Sequence, residues 1–377
     1  MAQGKINIDD MKKKYLGFAM PCYSIEINDK PIDELYCIDG MQAEICSGFE
    51  AGRCVFEIKN AFYKADKSKI EMAEKLRKLL KLGNRVSVKA GYKDCESTKV
   101  FSGYIDSIYL DYNKDGMAIL SVECLDGKGL MMNSLRSESM VSIKKYSEAV
   151  EKVLKKYSPI IKVNASDFDK TDDERTIFIE QHNESDYDFV VRIAKNLNSC
   201  FYINEDGNAV FKPFSKLSKE VLYEFDINEY MLELTMNTSL RKQVSSVSVV
   251  GGDIKEPSKT FSANVSNYKS IIDNADISTD ITKIISPIKK TISDMNISTQ
   301  QEAEKKAQAV INEISYSICA GRVKVVGLPE LTAGSIVSIN GFGEGFDKKY
   351  FVSKVTHKIK NNIYTTECDL EVNKTWG

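Results

Sequence analysis

The sequence predicts a mainly β chain with an α/β insertion, and three observations carry that prediction. Apolar and polar residues alternate in short runs through the first third; the apolar period lengthens to that of a helix from about Leu135; and alternation returns at the end. At 377 residues the chain exceeds one ordinary core, so two or three packing units are expected. Hydrophobic residues at 42% and charged residues at 28% exclude wholesale disorder.

The strands follow in order. Tyr23, Ile25 and Ile27 share one face, Cys54, Phe56 and Ile58 another, and Val86, Val88 and Ala90 a third. After Gly91 the pattern resumes through Phe101, Gly103 and Ile105, and again through Ala118, Leu120, Val122 and Cys124, with Asn113-Lys114-Asp115-Gly116 as the turn between them. One helix interrupts the strands. Ser68 with Glu71 forms a capping box, Ile70, Ala73, Leu76 and Leu80 line a face, Gly83 stops it, and Lys69, Lys75, Lys78 and Lys81 face water.

In the middle of the chain Val150, Val153, Leu154 and Tyr157 form a helical stripe that Ser158-Pro159 ends. Ser185 caps a second helix, with Val190, Ile193, Ala194 and Leu197 on one side, and a hairpin from Phe201 to Phe211 turns at Glu205-Asp206-Gly207-Asn208. Between Lys255 and Ser298 the sequence is rich in Ser, Thr, Asn, Asp and Lys and reads as an insertion. Ser298 and Gln301 then open a helix striped by Ala303, Ala307, Val310, Ile311 and Ile314. At the end, Tyr364, Thr366, Cys368, Leu370 and Val372 alternate with Thr365, Glu367, Asp369 and Glu371, so one face is expected buried and the other wet.

The charge balance excludes several classes of function. Lysine and arginine number 52 against 54 acids, so no net field draws the chain onto a polyanion, and nucleic-acid recognition is not expected. The polar start, with Lys12, Lys13 and Lys14, carries no apolar leader, and no apolar run approaches the ~20 residues of a membrane-spanning helix. The nine cysteines are scattered with no C-x-x-C pair, which fits reduced, space-filling thiols in a cytoplasm.

Catalytic chemistry finds little raw material. Two histidines, His182 and His357, cannot build a multi-histidine metal site, and both read as structural. Asp111, Asn113, Asp115 and Gly116 begin like a calcium loop, but Val122 stands where the bidentate carboxylate belongs, so a turn is expected. The acidic run Asp167, Asp169, Asp172, Asp173 and Glu174 reads as a solvated loop, and Gly341-Phe342-Gly343-Glu344-Gly345 as a hairpin without a P-loop lysine.

Several stretches, taken in order, resemble the baseplate hub family of contractile tails: phage late control D proteins, myophage hubs and the hub part of VgrG. Phe101-Ser102-Gly103-Tyr104-Ile105 and Val122-Glu123-Cys124-Leu125-Asp126 are similar to strands of its first barrel. Glu184, Ser185, Asp186 and Phe189, within Gln181 to Phe189, resemble its helix-start motif, and Phe201-Tyr202 its next hairpin. Val249-Val250-Gly251 follow, then Gly327, Leu328, Pro329, Glu330 and Leu331 with Gly334, and finally Tyr350, Val352, Val355 and His357.

The resemblance implies two tandem tube-like antiparallel β-barrels joined by an α+β domain. Residues 18–134 would form the first barrel, 135–215 the α/β domain, 216–254 and 309–377 the second barrel, and 255–308 a polar insertion. It further implies a structural baseplate hub of a phage, R-type bacteriocin or injection particle, with no catalytic, cofactor or metal residues. The hub would be a homotrimer joining the hexameric tail tube to the central spike and contacting other baseplate proteins. No needle-like β-helix follows the second barrel, so the spike is expected as a separate protein. A tail-associated cell-wall hydrolase is the alternative.

Overall fold

The computed structural model describes residues 6–32, 37–59, 74–112, 118–172, 179–252, 260–266, 272, 283–294, 297–343 and 345–372. The alternating runs become strands as expected. In chain order they are β1 (Pro21–Ile27), β2 (Lys30–Pro31), β3 (Cys37–Cys46), β4 (Arg53–Lys59), β5 (Arg85–Tyr92), β6 (Thr98–Tyr112) and β7 (Ala118–Leu125). Past the middle come β8 (Arg136–Met140), β9 (Ile179–Glu184), β10 (Ser199–Ile203) and β11 (Ala209–Pro213). The last group is β12 (Val221–Asp226), β13 (Met231–Thr238), β14 (Ser246–Gly252), β15 (Thr260–Val265), β16 (Lys289–Ser293), β17 (Cys319–Val326), β18 (Ile336–Asn340), β19 (Lys348–Lys360) and β20 (Ile363–Val372).

The strands expected in two separate barrels belong to one 13-stranded sheet, ordered β13-β17-β20-β19-β3-β4-β7-β6-β5-β1-β2, with β12 attached through β18. Among the described residues its ladder closes on neither half. The join is β19, whose first residues pair with β18 and whose later ones pair with β3, from Lys354↔Cys46 to Ile359↔Met41. A register shift between Val352 and Lys354 marks the change of partner. Alternation assigns faces but not neighbours, so nothing in the sequence announces that one 13-residue strand serves both halves.

Two apolar cores lie along the buried face. Ile25, Phe56, Val88, Phe101 and Val122 anchor the first, which also takes Ile359 and Tyr364 from the C-terminal strands. Tyr223, Val323, Val337, Val352 and Leu370 anchor the second, which takes Ile45 from β3 and Ile6 and Ile8 from the N-terminus. Six of the cysteines are buried as free thiols: Cys54 and Cys124 in the first core, Cys319 and Cys368 in the second, and Cys46 and Cys200 outside both. Burial pushes Cys46 up to about 11 and Cys54 to about 12, which leaves both protonated and inert.

The middle segment is α/β, as its period predicts. The helices Tyr146–Lys155 and Asp186–Asn196 pack with the β10–β11 hairpin around Val150, Leu154, Phe189, Ile193, Phe201 and Phe211. The antiparallel β8–β9 pair beside them is not expected from the sequence, since neither strand alternates cleanly. Ser199 to Ile203 turn at Asn204, whose side chain accepts from the amides of Asp206 at 3.1 Å and Asn208 at 2.9 Å.

Three expectations need correction or fall outside view. Part of the polar insertion is ordered: β14, placed by sequence in the second barrel, instead pairs with β15 and β16, and Val247 and Val249 pack on Ala303, Ala307 and Ile311 of the helix Gln300–Tyr316. That helix is capped one residue later than expected. Thr299 accepts from the Glu302 amide at 3.1 Å, and the Glu302 carboxylate accepts from the Ser298 amide at 2.8 Å. The Ser68 capping box and the Asn113 to Gly116 turn lie outside the described residues, while residues 74–79 are helical with Leu76 and Leu80 buried and Lys75, Lys78 and Lys81 exposed.

Candidate functional site

Three places concentrate polar chemistry: the helix start at Ser185, the seam between the two main cores, and the wet face of the sheet. At the helix start the Ser185 hydroxyl accepts from the Asp188 amide at 2.9 Å and donates to the Asp188 carboxylate at 2.6 Å. Asp186 is fully buried. Its carboxylate accepts from the Tyr157 hydroxyl at 2.7 Å and the Gln181 amide at 2.9 Å, with Arg136 at 3.4 Å. Glu184 receives both sides of the Arg192 fork, at 2.6 and 3.1 Å, and Phe189 fills the α/β core.

The sequence motif Glu184, Ser185, Asp186 and Phe189 is thus a joint between β9 and its helix. Every polar atom it presents is engaged within the protein. Replacing Asp186 with Asn keeps the shape but removes the charge that Tyr157, Gln181 and Arg136 converge on. The variant is expected to lose about 2 kcal/mol in urea unfolding, and a loss below about 0.5 kcal/mol would show that the joint does not depend on the carboxylate.

The second place is the seam. His357 is buried, its Nε2 lies 3.2 Å from the Leu331 carbonyl, and its Nδ1 lies 2.9 Å from the Tyr364 hydroxyl and 3.2 Å from that of Thr366. Nε2 therefore carries the proton and donates, while Nδ1 accepts. Burial pushes the imidazole down to about 4, against the opposing pull of the Leu331 carbonyl. The stretch Gly327 to Gly334 wraps this group. The Leu328 amide donates to Thr366 at 2.9 Å, the Tyr92 hydroxyl donates to the Gly327 carbonyl at 2.8 Å, Pro329 is buried, and Gly334 takes φ +82° against the Tyr202 ring.

Sequence reasoning missed the other half of the seam, the N-terminal strap. Asn7 caps the short helix Ile8–Lys14, and the Ile6 amide donates to the Leu222 carbonyl at 2.6 Å. Tyr15 is fully buried, with ring centroids 5.0 Å from Tyr92, and Tyr92 lies 5.8 Å from Tyr364. Lys14 at 2.8 Å and the Tyr15 hydroxyl both reach Glu330. These contacts tie the N-terminus to both cores. A polar-looking leader with a single tyrosine gives no local sign of this.

The third place is the wet face, continuous across both halves of the sheet. Lys324 pairs with Glu233 at 3.3 Å, Arg322 with Asp369 at 2.8 Å and Glu367 at 3.1 Å, Lys354 with Glu44 at 2.8 Å, Arg53 with Glu123, and Lys360 with Glu57 at 3.6 Å. Opposite charges alternate from strand to strand, so the face is hydrated but has little net field.

Among the described residues no group of His, Cys, Asp or Glu is arranged to hold a metal, and no helix is long and apolar enough to cross a membrane. The glycine loop after β18 is self-satisfied, because Asp347 accepts from the amides of Gly341 at 3.1 Å and Phe342 at 2.8 Å. Those amides are not offered to a phosphate. In the acidic run, Asp169 pairs with Lys216 at 2.7 Å and Asp172 accepts from the Ser147 amide at 3.2 Å; Asp173 and Glu174 lie outside the described residues.

Solved structures with a similar architecture include phage tail proteins and VgrG assemblies. The 43 kDa tail protein of prophage MuSo2 from Shewanella oneidensis aligns with a TM-score of 0.67 at 15% identity, covering 93% of this chain and 98% of that one. The tail protein from Neisseria meningitidis MC58 gives 0.66 at 12% identity, covering 95% and 98%. The Francisella PdpA-VgrG complex in its half-lidded form gives 0.53 at 10% identity, covering 97% of this chain and 61% of that one. The fold is that of a tail protein, and likeness at such identities speaks for architecture alone.

A family model described as the Alg8 N-terminal domain matches residues 62–361, and the chain belongs to that family. The matched range excludes β1 to β4 and β20, so its limits cut through the central sheet instead of following a folding unit. Its description and those of the fold neighbours name different things, and the neighbours account for the sheet that the family range divides. No curated protein matches the sequence.

Proposed function

We propose that the chain is a structural baseplate hub of a contractile tail or phage-tail-like injection particle, working by binding and without turnover. The observation that carries this reading is the single sheet with two cores beneath it and one charge-paired wet face across it. A wall suits that arrangement: apolar matter on one side gives stiffness, and a hydrated surface of balanced charge on the other binds no passing polyanion.

In this reading the two cores mark two tube-like barrels, residues 18–134 and residues 216–254 with 309–377 but without β14, which packs with the insertion 255–308; the α/β domain 135–215 joins them. Three chains with two like halves each offer six similar faces, which matches a three-fold spike to a six-fold tube ring. The motif residues Glu184, Ser185, Asp186, Phe189, Gly327, Pro329, Gly334 and His357 serve as joints that keep the halves at a fixed angle. The partners are two further copies, a tube ring protein, a central spike protein and other baseplate proteins, in a virion or tail-like particle.

Native mass measurement of the chain co-expressed with the tube and spike genes beside its own tests this. The expected species is three copies of this chain with the spike; a persistent monomer that joins neither partner would overturn the reading.

A further inference from the structure

A groove of about 490 Å³ lies between the helices Asp186–Asn196 and Gln300–Tyr316, with the ends of β19 and β20 and the loop after β3 as its floor. Phe49, Val191, Phe214, Val310, Tyr316 and Phe351 line it. Lys195 and Glu313 at its rim are exposed, so water reaches it. The volume suits a few side chains, within the roughly 300–1,000 Å³ of ordinary ligand pockets.

One acid in this groove stands apart. Alternation along β20 puts Glu371 on the same face as Glu367 and Asp369, both of which meet Arg322. Glu371 lies one step further, where the helix Gln300–Tyr316 covers the sheet, and it is half-buried. The groove also carries three cations, each already paired: Arg192 with Glu184 at 2.6 Å, Lys195 with Glu313 at 3.5 Å and over the Phe49 ring at 5.0 Å, and Lys306 with Asp294. Burial pushes the Glu371 carboxyl up, with the Ser353 hydroxyl bonding to it in opposition. An acid held against apolar walls, with the groove's cations already paired to other acids, favours a cation brought in from outside.

We propose that this groove docks an apolar segment of a partner polypeptide bearing a lysine or arginine, its apolar side chains on Phe214, Val310 and Phe351 and its cation on Glu371. The inference stands apart from the assembly reading, because it depends on this groove and not on trimer or tube.

Two capped tetrapeptides test it on the full chain by calorimetric titration with ligand-observed NMR: acetyl-Leu-Phe-Lys-Leu-amide and its analogue with norleucine in place of lysine. The lysine peptide is expected to bind at least ten times more tightly to the wild type. Glu371→Gln should abolish that preference and leave the norleucine peptide unchanged. Val310→Trp, which fills the groove, should abolish binding of both while the melting temperature holds. Equal binding of the two peptides would mean a purely apolar occupant and would overturn the proposal. So would failure of both to bind at millimolar concentration, or survival of the preference in Glu371→Gln.

Discussion

Acidification should cost the protein about 3 kcal/mol by pH 4 through His357 alone, the distance between its ordinary value near 6.5 and the folded value of about 4. The direction follows from which state binds the proton. Below about pH 6.5 the unfolded chain protonates this imidazole, while the folded chain keeps it neutral until about pH 4, so unfolding takes up a proton throughout that window. Stability contributed here is complete above pH 6.5 and is lost as pH falls towards 4. The folded state resists because burial strips the charged ring of water, and because Nδ1 accepts from the Tyr364 hydroxyl, onto which a protonated ring would turn a donor. Urea unfolding at pH 7 and pH 4 checks it against His357→Gln, which cannot titrate. Carboxylates lower both curves on acidification, so the excess loss in the wild type is the measured quantity. Equal losses in the two proteins would show that His357 takes its proton without resistance.

The period of apolar residues made most of the strands legible, together with the α/β character of the middle and the wet and buried faces of β20, because burial on one side of a strand writes itself as alternation. His357 was readable as structural from its place between Val355 and Ile359. Its partners were not, since Leu331 and Tyr364 approach it from other parts of the chain. The strap was illegible for a similar reason. Tyr15 is one aromatic in a lysine-rich run, and only the fold brings Tyr92 and Glu330 to it. The joining of both halves by β19 was hidden too, because a long strand with one alternating pattern looks the same whether its edge meets one partner or two. Glu371 shares its alternating pattern with Glu367 and Asp369, and what distinguishes it, the helix lying over it, belongs to tertiary structure alone.

Gly327→Ala should be strongly damaging, costing about 4 kcal/mol or preventing folding. A methyl added at Gly327 would sit 2.1 Å from Cγ and 2.2 Å from Cδ1 of Tyr364, far inside contact distance, with the ring pinned from several sides. The Gly327 amide donates to the Tyr364 carbonyl at 3.0 Å, so the backbone cannot withdraw without losing that bond. Moving the ring instead would take the Tyr364 hydroxyl off His357 at 2.9 Å and disturb its packing on Tyr92. Either route leaves a buried polar atom unpaired or a void in the first core, and costs of this kind add to the clash itself. Gly48→Ala is the control, since nothing lies within 4 Å of its added methyl, and it should stay within about 0.5 kcal/mol of the wild type. The double variant Gly327→Ala with Tyr364→Ala should be less destabilised than the two single losses summed, because the second change removes what the first collides with. Chemical unfolding of the four proteins decides the matter. A Gly327→Ala protein within about 1 kcal/mol of the wild type, or simple additivity in the double variant, would mean that the seam yields where the geometry says it is closed.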